Sequence, residues 1–525
     1  MIVYLLSAAL AMISAGTYLL IRIRGFEHFV VHYRWVFVCL FLLPASILYN
    51  AFFLIRSKII FALRSAPQNH ELRVQEIQEQ IRKWNRDGRR KPMCTARSGW
   101  LTMSFRTPLY KHSLNAVKID LMDILEVDVQ RRIVRVEPLV SMGQLMSALL
   151  PLGFTLPVVP ELDDLTAGGM IMGVGVETSS HVHGLFQDLV ESVELVLQDG
   201  SVKKCSKDSD PDLFLSVPWS HGTLGFLVSA ELRIIPASKY VRLEYTPVYS
   251  LENLVETLTV KSMDRAGSHF VEGLVYSKES GVVMSGKFAD VVEGGAQVNP
   301  IGYYWKPWFY KHVATFLERR AKGVEYIPLS HYYHRHNRSI FWTLENIIPF
   351  GNHPVFRYLF GWLVPPKVSF LKLTQGETIR KLYEEHQMIQ DMLVPLQHLK
   401  TSLRFFSEEI KLYPLWLCPF WLKSQKGFVH PYKLDPSTDG EMYVDIGAYG
   451  EPKTDKFHFR TTTRMLEAFV RDHHGFQMLY ADNYMTREEF RQMFDHTLYD
   501  EMRARLKCDG AFPDVYEKTN RSARL

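Results

Sequence analysis

From Trp35 to Ile55 the chain reads WVFVCLFLLPASILYNAFFLI, 21 residues without a charge. As a helix this run would reach about 31 Å, enough to cross the hydrocarbon core of a bilayer. Tyr33, Trp35 and Tyr49 fall where interfacial aromatics belong, and Pro44 is tolerable in a membrane helix. A buried helix of a soluble core would show the same pattern. Ile2 to Ile21 is also apolar and uncharged, and reads as a signal-like segment, an anchor or a second span. It lacks a basic n-region and a clear small-x-small cleavage site. Arg22, Arg24 and Arg34 precede the main run, while Arg56, Lys58 and Arg64 follow it, so the positive-inside comparison is tied.

Beyond the run, Gln68 to Gly88 predicts an amphipathic helix with Leu72, Ile77, Ile81 and Trp84 on one face, a connector near the membrane surface. From Pro92 to Pro236 the pattern shifts to short apolar runs and turns. Alternation at Ile124–Val127 and Ile133–Val136 predicts two strands. Ser141 caps a helix to Leu150, and Asp199-Gly200 marks a hairpin within Val193–Val202. In the second half, Trp416–Trp421 and Met442–Tyr449 read as buried strands around a polar surface loop at 423–440. Thr463–Arg471 reads as an amphipathic helix, and FQMLY before Ala481 as an apolar strand. HYYHRHN at 331–337 fits an aromatic-rich strand. The run from Trp342 through Phe350, Phe356, Tyr358 and Phe360 to Trp362 fits either a lipid pocket or core packing.

A chain of 525 residues exceeds one ordinary core, so two or more domains are expected. The net charge of +5, from 61 basic and 56 acidic residues, is spread out and gives no case for nucleic acid. Cys39, Cys94, Cys205, Cys418 and Cys508 are scattered without CxxC spacing, which argues against a disulfide framework or a zinc site. A reducing compartment for the bulk of the chain breaks the topology tie in favour of the cytosol. His331, His334 and His336 match no common zinc spacing, so no metal is expected.

The most distinctive stretch is Glu161–Gly184, ELDDLTAGGMIMGVGVETSSHVHG, with Gly168, Gly169, Gly173 and Gly175 within eight residues. Such glycines let backbone approach a ligand closely, and successive N–H groups can hold a phosphate. A dinucleotide cofactor and a glycine-rich turn between buried strands both fit. A nicotinamide fingerprint does not: Gly173 and Gly175 are followed by Thr178 in place of the third glycine, with no βαβ unit after it.

The order of pieces is more specific. An RSGW turn at 97–100, VEPLVSMGQL, PELDDLTAGG…GVG…SS…HG, LQDGSV and DLF…GTLGFLVSAELRIIP together resemble the FAD-binding domain of the vanillyl-alcohol oxidase / p-cresol methylhydroxylase superfamily. HYYHRHNRSIFW, NIIPFGN, FRYLFGW, KLTQGET, YVDIGAYGEP and GFQMLYADNYM extend the resemblance to its Δ24-sterol reductase group, over nearly the whole chain.

The resemblance implies an α+β fold: an N-terminal membrane anchor region at 1–56, a helical linker at 57–91, a two-subdomain FAD-binding domain at 92–237, and a cap or substrate domain on an antiparallel sheet at 238–525. It implies that Arg97, Ser98, Gly99 and Trp100 form the first pyrophosphate loop. The second would be Thr166, Ala167, Gly168, Gly169, Met170, Ile171, Met172, Gly173, Val174, Gly175, Val176, Glu177, Thr178 and Ser179. The turn from Gly222 to Gly225 would touch flavin or adenosine. Relatives that bind FAD covalently use a His where this chain has Trp100 or Leu101, so FAD is expected to be non-covalent.

The implied activity is NADPH-driven reduction of the C24=C25 bond of a sterol at the endoplasmic reticulum membrane, or the Golgi, with the catalytic part cytosolic and other sterol-pathway enzymes as possible partners. Such an alkene needs a proton donor in an apolar pocket. Tyr480, Glu177 and His181 lead the candidates, followed by Tyr449, Asp482 and Tyr484. Another FAD oxidase or dehydrogenase of the superfamily, or a non-catalytic flavoprotein-like scaffold, is the alternative.

Overall fold

The computed structural model describes residues 31–103, 109–432, 437–454 and 456–521, with single positions between 15 and 25 and at 523. The apolar segment 2–21 lies almost wholly outside the described residues. The main apolar run sits inside a longer helix, α1 (Arg34–Leu63), 30 residues with a mean hydropathy of 2.2 in its most apolar window. By length and composition it is the one helix among the described residues able to cross a membrane. A π-type turn at Val38–Leu42 precedes Pro44, a local widening that accommodates the missing proline N–H.

Helix α2 (Ala66–Arg86) follows after a left-handed Arg64. Val74, Ile77, Ile81 and Trp84 are buried on its inner face. Leu72, expected on that face, is exposed instead. It lies two residues before Val74, about 200° away around the helix. Below α2 lies a five-stranded sheet in the order β3-β4-β8-β6-β7. Its strands are β3 (Ile124–Asp128), β4 (Ile133–Val136), β6 (Val190–Val196), β7 (Val202–Ser206) and β8 (Phe226–Arg233), all paired antiparallel. Short pairs β1 (Met93–Thr95) with β2 (Asn115–Val117), and β5 (Phe154–Thr155) with β9 (Ile235–Pro236), complete this half. The β6–β7 hairpin turns at Gly200, whose φ of 84° an L side chain rarely adopts. Helix α3 (Met142–Leu149) begins with a capping box, Ser141 accepting from the Gln144 N–H while the Gln144 side chain accepts from the Ser141 N–H.

The second half is an eight-stranded antiparallel sheet in the order β13-β10-β12-β11-β15-β16-β14-β17. Its strands are β10 (Tyr240–Val248), β11 (Phe270–Ser277), β12 (Ser280–Ala289), β13 (Gly323–Pro328), β14 (Met388–Pro395), β15 (Leu415–Lys423), β16 (Gly440–Gly450) and β17 (Phe476–Gln477). Of FQMLY only Phe476–Gln477 is strand; the chain then turns. HYYHRHN is not a strand. Leu329–Tyr333 is a short helix followed by a 3-10 turn at Asn337–Ser339, which brings Tyr332, Arg335 and His336 inward together. Of the aromatic run, Trp342 is buried, but Tyr358, Phe360 and Trp362 are exposed, so they serve neither a pocket nor the core.

Two buried carboxylates hold the helices onto the first sheet. Asp123 takes Arg56 of α1 at 2.7 Å and Arg73 of α2 at 3.0 Å. Glu137, fully buried, receives His70 at 2.8 Å, Arg73 at 3.1 Å and the Asp123 N–H at 2.7 Å. Removing one partner of such a cluster strands the others in low dielectric. Glu137→Ala is therefore expected to destabilise the protein by about 3–5 kcal/mol, read as a lowered thermal midpoint, with Glu137→Gln losing less.

Candidate active site

A cavity of about 430 Å³ opens between the two sheets, within the range of small-molecule sites. One wall comes from the first half. Helix α4 (Ala167–Met172) and the glycine-rich segment after it contribute Thr166, Gly168, Gly169, Met170, Met172, Gly173, Val174, Gly175 and Val176. Arg97, Gly222 and Gly225 line the same cavity.

The remaining residues expected to hold a cofactor lie just behind this wall. Ala167 and Ile171 point into the core. Ser98, Gly99 and Trp100 do not line the cavity; their turn is fastened by Lys372, which donates to the Gly99 carbonyl at 3.0 Å and the Thr102 carbonyl at 2.8 Å. Thr178 and Ser179 are buried and tied to the second half and to Pro157.

Part of the glycine loop is already bonded to backbone. The Ala167 N–H donates to Val140, Gly168 to Pro138, Met170 to Thr166 and Gly173 to Gly169. Glycine is required at 168 because a Cβ would stand 2.7 Å from that of Pro138 and 3.0 Å from its carbonyl. Positive charge at this end comes from side chains. Arg97, Lys111 and Lys518 all line the cavity, and burial lowers the pKa of Arg97 and Lys111. At Gly222, where φ is +73°, a Cβ would lie 3.6 Å from the Met172 sulfur and 3.7 Å from Lys518 Nζ, narrowing the cavity there. Cations, close-packed backbone and the flat apolar surfaces of Met170, Met172 and Val174 suit a diphosphate-bearing, planar-ringed group such as FAD.

The opposite wall is one face of the eight-stranded sheet. Opposed residues of antiparallel strands share a face, and so do residues two apart. Asp391 of β14 faces Gly447 of β16, Ile389 faces Tyr449, and Trp416 of β15 also faces Gly447. Asp445, Gly447 and Tyr449 therefore lie in line beside Ile389, Asp391 and Trp416. All of these except Gly447 line the cavity, together with Ile340, Phe341, Met478, Tyr480 and Glu161.

The Tyr449 hydroxyl donates to Asp391 at 2.5 Å, and Tyr480 also bonds Asp391. Gly447 makes this pairing possible. A Cβ there would lie 2.5 Å from the Tyr449 oxygen and 2.9 Å from Asp391 Oδ1. Burial pushes the Asp391 carboxyl up to about 6, against the hydrogen bonds from Tyr449 and Tyr480. Asp445 is fully buried, and neither of its carboxyl oxygens has a hydrogen-bond partner among the described residues. Burial first, then Asp391 and Glu161, hold its pKa well above the usual carboxylate range. Glu161 is raised likewise by burial and by Glu177.

Of the expected proton donors, the structure brings Tyr480 and Tyr449 to the cavity and not the others. His181 is buried with Nδ1 on the Thr178 carbonyl and Nε2 on the Ser268 carbonyl, both at 2.9 Å, and burial lowers its pKa to about 4. Both of its ring nitrogens thus meet backbone carbonyls. Glu177 is held by Arg335 at 2.9 Å, Asp482 bonds Arg521 at 3.2 Å, and Tyr484 lies away from the cavity. Asp391, Asp445 and Glu161 were missed. The available signal was a lone carboxylate in each of two apolar strands, MIQDMLVP and YVDIGAY, spaced to face the same way as Tyr449.

The two walls are locked by Arg335. Its guanidinium, wholly buried, bonds Glu177 at 2.9 Å and Glu272 of β11 through two bonds of 2.8 Å. The Trp416 indole donates to the same Glu272 at 2.9 Å. Burial pushes the Glu272 carboxyl up, but Arg335 and His336 together pull it well below the usual range. Thr178 and Tyr332 share a hydrogen bond of 3.1 Å, and the Val271 N–H donates to the Thr178 carbonyl at 2.8 Å.

Residues 74–206 match a family described as FAD binding domain. A protein named Delta(24)-sterol reductase from Rattus norvegicus is 55% identical over 518 residues, 99% of each chain. The Homo sapiens protein of the same name gives the same figures. One from Arabidopsis thaliana is 38% identical, over 96% of this chain and 94% of its own.

Arg335→Met is expected to leave Glu177 and Glu272 unpaired and to cost about 3–5 kcal/mol, with loss of bound flavin absorbance from the purified protein. Gly447→Ala is expected to keep the flavin spectrum but to break the Tyr449–Asp391 bond, lowering turnover about tenfold or more.

Proposed function

The chain belongs to the Delta(24)-sterol reductase family, and on that premise we propose that it reduces the C24=C25 double bond of a sterol side chain, with FAD as carrier and NADPH as the electron source. The observation that carries this reading is a single cavity sharing a glycine-and-cation wall with an apolar wall that contains the buried acids Asp391, Asp445 and Glu161. Ile340, Phe341, Ile389, Trp416 and Met478 suit a hydrocarbon side chain better than the polar substrate of another flavin oxidase. The catalytic body belongs on the cytosolic face of the endoplasmic reticulum, or of the Golgi, anchored through α1. Five free cysteines, four of them buried, fit a reducing compartment.

An isolated trisubstituted alkene accepts hydride poorly. Protonation at C24 places tertiary cation character at C25, where a hydride can be accepted. FAD, when bound and reduced, supplies that hydride. The chain's own residues supply the proton and the dry surroundings. At neutral pH Asp391, pushed up to about 6, is largely ionised and accepts from Tyr449 and Tyr480. That anion helps keep its neighbour Asp445 protonated, so Asp445 holds the transferable proton. Tyr449 and Tyr480 orient Asp391. The first wall, with Arg97, Lys111 and Lys518, binds the cofactor's diphosphate, and Gly222 keeps the space beside Met172 open.

Incubating the full-length protein in membranes with NADPH and a 24-unsaturated sterol should give the saturated side chain; no product from flavin-loaded protein would exclude the activity. Asp445→Asn should lower kcat about 100-fold or more while the flavin stays bound. Because Asp445 acts in its protonated form, activity should fall as pH rises through its raised pKa. That alkaline limb should vanish in Asp445→Asn. Tyr480→Phe should cost about tenfold or less and keep the limb.

A further inference from the structure

Helix α1 is long enough to cross a bilayer, yet it is attached to the catalytic body from Arg34 to Ser57. Near its start Arg34 donates to the Tyr383 hydroxyl at 2.9 Å and the Leu371 carbonyl at 3.2 Å, and Trp35 meets Phe350 at 5.0 Å. At its middle Ser46 accepts from the Lys367 N–H at 2.8 Å, and Tyr49 packs on Phe370 at 5.2 Å. Toward its end Arg56 pairs with Asp123 at 2.7 Å, and Ser57 accepts from Gln144 at 2.7 Å. The 22 residue steps from Arg34 to Arg56 span about 33 Å, the thickness of the hydrocarbon core. Were α1 to cross, the body fixed to it would have to sit in lipid with it. The Lys367–Asp164 ion pair, beside Tyr49, would then stand near the bilayer centre, where charge is costly.

The outer face of α1 is mainly apolar. Leu40, Leu48, Phe52, Ile59 and Leu63 are exposed, with Leu48 at 73% and Leu63 at 70%. They fall at helical spacing on one side, opposite the buried Val38, Leu42, Leu43 and Ser46. A free interfacial helix needs a polar face; here the protein occupies that side. The exposed surface continues into the helix Pro354–Phe360 and the turn Gly361–Leu363 through ring contacts of Phe350 with Phe356 at 5.2 Å and of Phe356 with Phe360 at 5.8 Å. There Tyr358, at 65%, Leu359 and Trp362 are exposed. A small cleft lined by Asn50 of α1, Asp163, Asn337, Pro365, Pro366 and Lys367 shares Met103, Leu162, Asp164, Ile340 and Val368 with the active-site cavity.

We infer that α1 does not cross the bilayer but lies along one leaflet, and that it and the 354–363 ridge seat the catalytic body on the lipid surface with the cleft at Asn50 facing the lipid. The inference rests on the membrane association proposed above, not on the reaction. Lys58 and Arg64, exposed beside the apolar face, lie where anionic headgroups would meet them.

The test is a depth profile. Nitroxide labels are placed at Leu40→Cys, Leu48→Cys, Phe52→Cys, Ile59→Cys and Trp362→Cys in a Cys39→Ser background of the full chain, the other four cysteines being buried. The protein is reconstituted into phosphatidylcholine–phosphatidylserine vesicles, and relaxation by oxygen and by a water-soluble nickel chelate is compared. All five labels are expected at one shallow depth, about 5–10 Å below the headgroup boundary. A profile deepest near Leu48 and shallow toward Leu40 and Ile59 would overturn the in-plane arrangement while leaving membrane association intact. Labels open to water throughout would overturn the association itself. Labels shielded from both relaxants, as a second copy covering the face would shield them, would also overturn the inference.

Discussion

Arg335 is the contact on which the rest of the site depends. It is a fully buried cation between two buried carboxylates, one on the loop that ends the glycine-rich segment and one on the second sheet. A lone guanidinium in that place would be prohibitive; two carboxylates, a backbone carbonyl and the Tyr332 ring at 4.5 Å make it tolerable. Such a cluster gives little net stability compared with an apolar core of the same shape. What it gives is registration. Glu177 meets its cation only when the loop stands against Arg335, and that fixes the glycine wall against the face of β14, β15 and β16.

From that registration the chemistry follows by geometry. Alternation along antiparallel strands puts Asp391, Asp445 and Tyr449 on the face that looks across at the cofactor wall. Burial decides their protonation. One acid, bonded by two phenols, is pushed up to about 6; the other, without partners among the described residues, is held well above the usual carboxylate range. In the proposed reaction, two carboxyl groups of the same intrinsic acidity are thereby separated into an acceptor and a proton holder. Gly447 is part of the same device, because no side chain fits where Tyr449 reaches Asp391.

Much of this was legible in the sequence. The alternation at Ile124–Val127 and Ile133–Val136, the Ser141 cap, the Asp199-Gly200 turn and the apolar strands around 416–421 and 442–449 all depend on local patterns, and all formed. The order of glycine and turn motifs carried the FAD-binding family, and most of its loop residues line the cavity. What failed was long-range. His181 and Glu177 sit close in sequence to the cofactor loop, but their distant partners are Ser268 and Arg335, which no local pattern announces. HYYHRHN has strand-like composition, yet it turns because Arg335 must reach inward to both acids. Asp391 and Asp445 are 54 positions apart and become neighbours only through strand pairing. The charge-free run at 35–55 fixed the existence of α1, but its length says nothing about what lies alongside it.

The central claim is that a neutral Asp445 faces the cofactor wall at physiological pH. Infrared difference spectroscopy of the flavin-loaded protein, oxidised against reduced, tests it most directly. A protonated carboxylic C=O band that shifts on deuteration at neutral pH, is present in the unsubstituted protein and is missing from Asp445→Asn is the result this account predicts. A spectrum with no such band, or a band unchanged in Asp445→Asn, would contradict it.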